Sequence, residues 1–231
     1  MSMKNILITG AGGALGKACV MEFIKKGHHV IALLSPGKKL PYETPAPVSV
    51  YNADLMNEDN TLKVVDQIIT DHTSIDVALL LVGGFAMGSL DNTDGAMIKK
   101  MIGLNFDTTY YTGSKVFNQM ITQPNGGRIV MVGAKPALEP IAATSKVAYA
   151  LSKSLIFKLA EIFNEIGKDN NVVSTVIVPS IINTEDNRKA MPKADTAAWV
   201  QPEEIAAIVA FATSDQGATL REPIIKIYGK S

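Results

Sequence analysis

The chain has 231 residues with 22 basic and 22 acidic side chains, so its formal charge is zero, and it carries one cysteine. Charge this balanced, with no run of one sign, leaves no electrostatic footprint for nucleic acid or an anionic membrane, and one cysteine excludes an internal disulfide framework. No Pro/Gly/Ser-rich linker divides the chain, no apolar run approaches the ~20 residues that span a bilayer, and no charged leader precedes the first strand. The expectation is one cytoplasmic domain over residues 1–231 that acts on a small molecule and calls for no metal.

The stretch Asn5-Ile6-Leu7-Ile8-Thr9-Gly10-Ala11-Gly12-Gly13-Ala14-Leu15-Gly16 reads as strand, glycine turn and helix. Gly10 allows the reversal, Gly13 lets the backbone approach a pyrophosphate, and Gly16 lets the helix pack close to the strand while its free N–H groups face the anion. A dinucleotide suits such a turn, although glycines at this spacing also serve an ordinary βα connection. Lys17 to Lys26 continues as an amphipathic helix with Cys19, Phe23 and Ile24 inward, stopped by Gly27; Cys19 reads as a buried structural thiol. His29 to Leu34 is a strand, and His28 and His29 read as a solvated connection into it. Pro36-Gly37-Lys38-Lys39 forms a basic loop. A passage with Pro41, Pro45 and Pro47 leads to a third strand, Val48 to Tyr51, followed by Asn52-Ala53-Asp54-Leu55.

Helical spacing over Glu58 to Thr70 precedes an apolar strand, Ile75 to Val82, that breaks at Gly83-Gly84. A helix from about Met97 through Tyr111 and beyond, a strand Arg128 to Val132, a long helix from Lys146 to Ile166 and a strand Val172 to Val178 follow. A helix over Glu203 to Ala212 and a strand over Ile224 to Tyr228 complete the series. Strands alternating with helices predict an α/β, Rossmann-type doubly wound parallel sheet of about seven strands. Ligands then sit beyond the carboxyl ends of the strands, where the glycine turn, Asp54, Gly83-Gly84 and the segments after Val132 and Val178 all fall.

Tyr149 and Lys153 open the longest helix on one face, four residues apart, which brings an ammonium near a phenol and favours the ionised phenol. A core tyrosine beside a snorkelling lysine has the same spacing, and position beside the sheet edge favours chemistry. With Thr9-Gly10, Gly13, Gly16, Asp54-Leu55, Asn105 in Leu104-Asn105-Phe106, and Pro179 followed by Thr184, this pair resembles the short-chain dehydrogenase/reductase family across essentially the whole chain. That family usually carries a serine a little over a dozen residues before the tyrosine, where this chain has Val132-Gly133-Ala134-Lys135-Pro136. Gly133-Ala134-Lys135-Pro136-Ala137-Leu138 is similar to the corresponding segment of the family's dihydropteridine reductase branch. Gly13-Ala14-Leu15-Gly16, Val82-Gly83-Gly84 and the run Asn187 to Asp195 with Trp199 resemble that branch too. Phe85 stands where the branch has tryptophan, Pro140 to Lys146 is slightly longer, and Asn105 follows the broader family.

The resemblance implies that Tyr149 donates to the substrate, that Lys153 lowers the phenol pKa and binds the nicotinamide ribose, and that Asn105 supports the lysine through backbone or water. It implies a cofactor held by Thr9, Gly10, Gly13, Ala14, Leu15, Gly16, Asp54, Leu55, Val82, Gly83, Gly84, Lys153, Pro179 and Thr184, with Asp54 accepting from the adenine amino group. Substrate contacts fall to Phe85, Ala134, Met191 and Trp199. Phe85 is either an aromatic face for a flat ring or a core side chain, and Met191 and Trp199 are either a lid or interface and packing residues.

An enzyme that selects NAD places an acid at the end of the second strand, yet this chain has Leu34 and Ser35, then Lys38 and Lys39, with Lys17 just past the glycine turn. NADP(H) is therefore expected over NAD(H), against the alternative that these lysines are solvated surface charge. Three activities stay open: an NAD(P)H-dependent reductase of quinonoid dihydropterin or a similar flat heterocycle, a short-chain reductase of another carbonyl or quinone, and a non-catalytic cofactor-sensing regulator. The helices around Asn105 to Met120 and Lys146 to Ile166 carry apolar residues on more than one side, among them Tyr110, Val116, Phe117, Met120, Leu155, Phe157, Leu159 and Ile162. In the resembling family those two helices pair across a two-fold axis, which implies a homodimer or homotetramer.

Overall fold

A computed structural model describes residues 2–221 and 223–230; Met1, Glu222 and Ser231, which the expected domain range includes, lie outside the described residues. Seven parallel strands form one sheet in the order β3-β2-β1-β4-β5-β6-β7. They are β1 Asn5–Thr9, β2 His29–Leu34, β3 Ser49–Asn52, β4 Val77–Leu80, β5 Gly127–Val132, β6 Val172–Pro179 and β7 Ile224–Ile227. Helices α1 Ala14–Lys25, α2 Glu58–His72, α3 Gly95–Ile102, α4 Thr108–Thr122, α5 Pro140–Ala143, α6 Val147–Gly167, α7 Glu185–Ala190 and α8 Pro202–Ala212 lie between or beside them. The order reverses between β1 and β4, which makes the carboxyl edge there the switch point of a doubly wound sheet.

Period-two alternation puts the two faces of each strand into two cores. Leu7, Ile31, Leu33, Met131 and Val176 pack with side chains of α2, α4 and α6, where Phe117 and Phe163 stack at 4.6 Å. Ile6, Ile8, Val30, Ala32 and Leu79 pack on the opposite face with Cys19 and Phe23 of α1 and Ile205 and Val209 of α8. Cys19 is wholly buried and its thiol is pushed up to about 12, so it stays protonated and inert.

Strand β4 is shorter than the apolar run Ile75 to Val82. Beyond Leu80 the ladder is replaced by a side chain, because the Leu81 amide donates to Thr9 Oγ1 at 3.0 Å. The helix expected from Met97 onward is divided. Between α3 and α4 the chain widens into a π-helical turn over Gly103–Asp107. Thr108 and Thr109 hydroxyls donate to the Leu104 and Asn105 carbonyls, at 2.9 and 3.1 Å, supplying bonds to carbonyls of the wide turn. The two histidines are not a purely solvated connection either: His28 Nδ1 accepts from the Lys4 amide at 3.3 Å, and His29 lies tilted against the His72 ring at 5.2 Å while its Nε2 shares a hydrogen bond with Ser49 Oγ. No helix among the described residues is long and apolar enough to cross a membrane.

Candidate active site

The glycine turn ends β1 at the switch point. Gly10 adopts φ +67°, a left-handed conformation that a side chain would strain, and the Gly13 amide donates back to its carbonyl at 3.0 Å. A Cβ on Gly16 would collide with that same carbonyl and with the Ala11 backbone. Gly13 caps α1 without a side-chain bond, and no acid lies in the first turn. The amides of Ala14, Leu15 and Gly16 have no intrahelical acceptor at this end, so positive potential faces outward from it. Beside the turn opens a cavity of about 440 Å³, walled by Gly10, Gly12 and Gly13, by Ser35, Lys38 and Lys39 after β2, by Asp54 and Leu55 after β3, and by Val82 after β4. A concave apolar slot with bare amides at one end and ammonium groups at another fits a dinucleotide.

Asp54 is exposed on this wall, and its Oδ1 accepts from the Met56 amide at 3.0 Å in a local turn, leaving Oδ2 open to a ligand donor. Thr9 ties β1 to β4 rather than facing the cavity, since its hydroxyl also reaches the Leu79 carbonyl. Of the three lysines expected around a phosphate, Lys38 and Lys39 line the cavity, whereas Lys17 lies over the Tyr42 ring, 5.4 Å from its centre.

The other end of the site is organised by Asn105, which the π-helical turn carries into the interior at 0% exposure. Its Oδ1 accepts from the Gly84 amide at 2.8 Å and its Nδ2 donates to Ser152 Oγ at 3.0 Å. Ser152 Oγ in turn donates to the Tyr149 carbonyl at 2.8 Å, so Asn105 is tied to α6 through a serine of that helix. Sequence reasoning missed Ser152, which carries no signal beyond being a small polar residue on a buried helix face. Gly83 is demanded by the same packing: a Cβ there would stand 2.6 Å from Asn105 Oδ1 and 3.1 Å from Lys153 Nζ.

Lys153 is buried and its Nζ donates to the Val132 carbonyl at the end of β5, at 2.8 Å. Desolvation pulls its ammonium down from 10.5 to about 8, while burial pushes the Tyr149 phenol up to about 12. Burial acts on the phenol in the direction opposite to the effect expected of its lysine, whose ammonium is turned to a backbone carbonyl. The phenol therefore carries its proton at neutral pH and is a donor. Phe85 is not a core residue, being 58% exposed with its ring edge-to-face against Tyr149 at 5.0 Å. Ala134, just beyond β5, is buried and offers a methyl group where a hydroxyl would otherwise stand.

Beyond β6, whose last residue is Pro179, Thr184 caps the short helix α7 by accepting from the Asn187 amide at 3.2 Å. Met191 is half-buried just after that helix. Trp199 is only 6% exposed, and its neighbour Val200 bridges back to Ile182 through paired backbone bonds. Trp199 is thus a buried side chain beside the bridge that ties the two ends of the 182–200 excursion together. Among the described residues no group of three or more His, Cys, Asp or Glu side chains is placed to hold a metal.

Residues 4–195 match the family described as short chain dehydrogenase, and the chain belongs to that family, as an NAD(P)-dependent dehydrogenase/reductase. It is similar to an NAD-dependent glycerol dehydrogenase of Listeria innocua, 26% identical over 229 residues, covering 94% of this chain and 89% of that protein. It is similar as well to a dihydropteridine reductase of Dictyostelium discoideum, 24% identical over 238 residues, covering 99% of this chain and 96% of that one. Among solved structures, one described as ElxO with NADP bound shares the fold at a TM-score of 0.90 and 21% identity, covering 99% of this chain and 98% of the other.

The position of Lys153 has a thermodynamic consequence. Between its folded value of about 8 and the ordinary 10.5, the unfolded chain binds more protons than the folded one, so this group's contribution to stability rises with pH across that window. Urea denaturation of the cofactor-free protein should show Lys153→Met losing ground to the wild type as pH rises from 8 towards 10.5. A difference that is flat over this range would mean that the buried ammonium keeps its ordinary pKa.

Proposed function

We propose that the protein is an NADPH-preferring reductase of quinonoid dihydropterin or a similar flat heterocycle. The observation that carries this reading is the exposed Phe85 ring set against Tyr149, with the methyl group of Ala134 where a carbonyl-holding hydroxyl is absent. A ring system can be oriented by stacking and by backbone groups, whereas a lone carbonyl needs a second donor beside the phenol. The similarity to a dihydropteridine reductase along nearly the whole chain supports the same reading.

When bound, the nicotinamide cofactor supplies the hydride. Tyr149, held protonated by its surroundings, donates a proton or hydrogen bond to the substrate atom that gains charge. Lys153 supplies a buried positive charge beside the phenol and donors for ribose hydroxyls, and Asn105 fixes the start of the helix that carries both. Gly10, Gly13 and the first-turn amides of α1 take the pyrophosphate, and Asp54 accepts from the adenine amino group. A reductase of another carbonyl or quinone remains the competing activity, favoured by the similarity to a glycerol dehydrogenase. The complete Tyr149/Lys153 pair argues against a sensor, which has no use for an acid at the nicotinamide end.

Steady-state assays with both nicotinamide cofactors should give a higher kcat/KM for quinonoid dihydropterin than for quinones or simple ketones, and faster turnover of ketones would overturn the substrate assignment. In the same assay Tyr149→Phe should lower kcat by roughly two to four orders of magnitude with cofactor binding nearly kept; an electron-poor dihydropterin softens this loss.

The cofactor preference rests on the missing acid at Leu34 and on Lys38 and Lys39 in the cavity wall. NADPH should be preferred over NADH, with a margin that shrinks in salt and in the Lys38→Ala/Lys39→Ala double variant. A preference for NADH in the unmodified protein would refute it.

Assembly follows from the faces of α4 and α6 that the sheet leaves uncovered. Val116, Phe117, Met120 and Leu159 are core, but Tyr110, Leu151, Leu155, Ile162 and Ile166 are exposed, and the four on α6 fall on one stripe. These helices form the two-fold contact of a homodimer, the unit from which a homotetramer would also be built. Light scattering at micromolar protein should return at least twice the chain mass, and a monomer would exclude the assembly.

A further inference from the structure

The segment from Ser35 to Val48 contains no helix or strand, yet it is built onto the glycine turn at several points. Tyr42 reaches across and its hydroxyl donates to the carbonyl of Ala11, inside the turn itself, at 2.7 Å. Its ring carries the Lys17 ammonium of α1, and Leu40, Tyr42 and Val48 pack against the core cluster that includes Ala11 and Leu34. At the near end of the segment, Asn52 of β3 donates through Nδ2 to the Ser35 carbonyl at 2.7 Å and to the Lys38 carbonyl at 2.9 Å. The Lys38 amide closes the same turn onto the Ser35 carbonyl at 3.1 Å. A loop of this length and composition is costly to order, so bonds at Ser35, Lys38 and Tyr42 decide where the backbone among them lies.

Between those two anchors lie Lys38 and Lys39, both exposed and both in the cavity wall. We propose that Tyr42 and Asn52 are positioning residues for cofactor selection, a latch that holds the Lys38–Lys39 backbone against the glycine turn so that the two ammonium groups face an extra phosphate on the adenosine ribose. Lys17 serves the latch through the Tyr42 ring and is not a phosphate ligand. This inference rests on the NADPH reading above, but it concerns how the preference is made rather than which way it runs. The physical basis is preorganisation: two flexible lysines on a free loop lose rotamer and backbone entropy when they close on a phosphate, and a loop already fixed has less to lose.

The test measures dissociation constants of NADP+ and NAD+ by calorimetry for the wild type, Tyr42→Phe and Asn52→Ala, with circular dichroism and thermal midpoints to establish that each variant is folded. Tyr42→Phe keeps the ring under Lys17 and removes only the bond to Ala11. Tyr42→Phe should weaken NADP+ by about fivefold, the loss of roughly one ordinary hydrogen bond's stabilisation, and Asn52→Ala, which loses two bonds, by roughly 25-fold, while NAD+ changes by less than about twofold in either. Equal weakening of both cofactors would show general packing of the adenosine site and overturn the latch, and no change in either would show that the loop needs neither bond. The wild-type ratio of the two constants reads the NADPH preference by itself, so a reversed ratio refutes that preference, while the change in ratio on mutation still judges the latch.

Discussion

The Asn105 side chain is the joint between the segment beyond β4 and α6. An amide that is wholly buried must have its donors and acceptor met, and here the acceptor takes the Gly84 amide while one donor takes Ser152. One bond reaches the segment beyond β4 and the other reaches α6, so a single side chain sets the distance between the sheet edge and the helix that bears Tyr149 and Lys153. The wide turn at Gly103–Asp107 exists in the same place, and it turns residue 105 inward where a regular helix would continue its α3 register. Gly83 completes the joint, because space that a methyl group would occupy is filled by the amide oxygen and the lysine.

Electrostatics at this end are set by desolvation more than by pairing. A lysine with a carbonyl partner and no carboxylate is poorly compensated, which draws its pKa down, and a phenol in the same low-polarity setting holds its proton. Both shifts follow from burial: the phenol keeps its proton, and the ammonium has a carbonyl and no carboxylate as its partner.

The two ends of the site are built differently. Around Asn105 and Lys153, positions are held by short bonds that reach regular elements. At the cavity beside the glycine turn, one wall is an irregular loop bonded through Tyr42 and Asn52, and its charge comes from exposed lysines. The first arrangement is rigid, and the second leaves room for surface charge to vary with few changes in sequence.

The seven strands, their alternation with helices and the glycine turn were legible in the sequence because they follow from local rules: apolar runs for buried parallel strands, glycine where a side chain is forbidden, and spacing on a helix face. The spacing that puts Tyr149 and Lys153 four apart on one helix was legible for the same reason. Tertiary structure alone decided what those residues face. Lys153 turns to Val132 because the end of β5 passes its helix, Ser152 joins Asn105 across 47 positions of sequence, Trp199 is drawn into packing, and Tyr42 finds a carbonyl 31 residues before it. None of these pairings has a period or a motif, since each arises where two elements meet at a distance in sequence that local propensity does not encode.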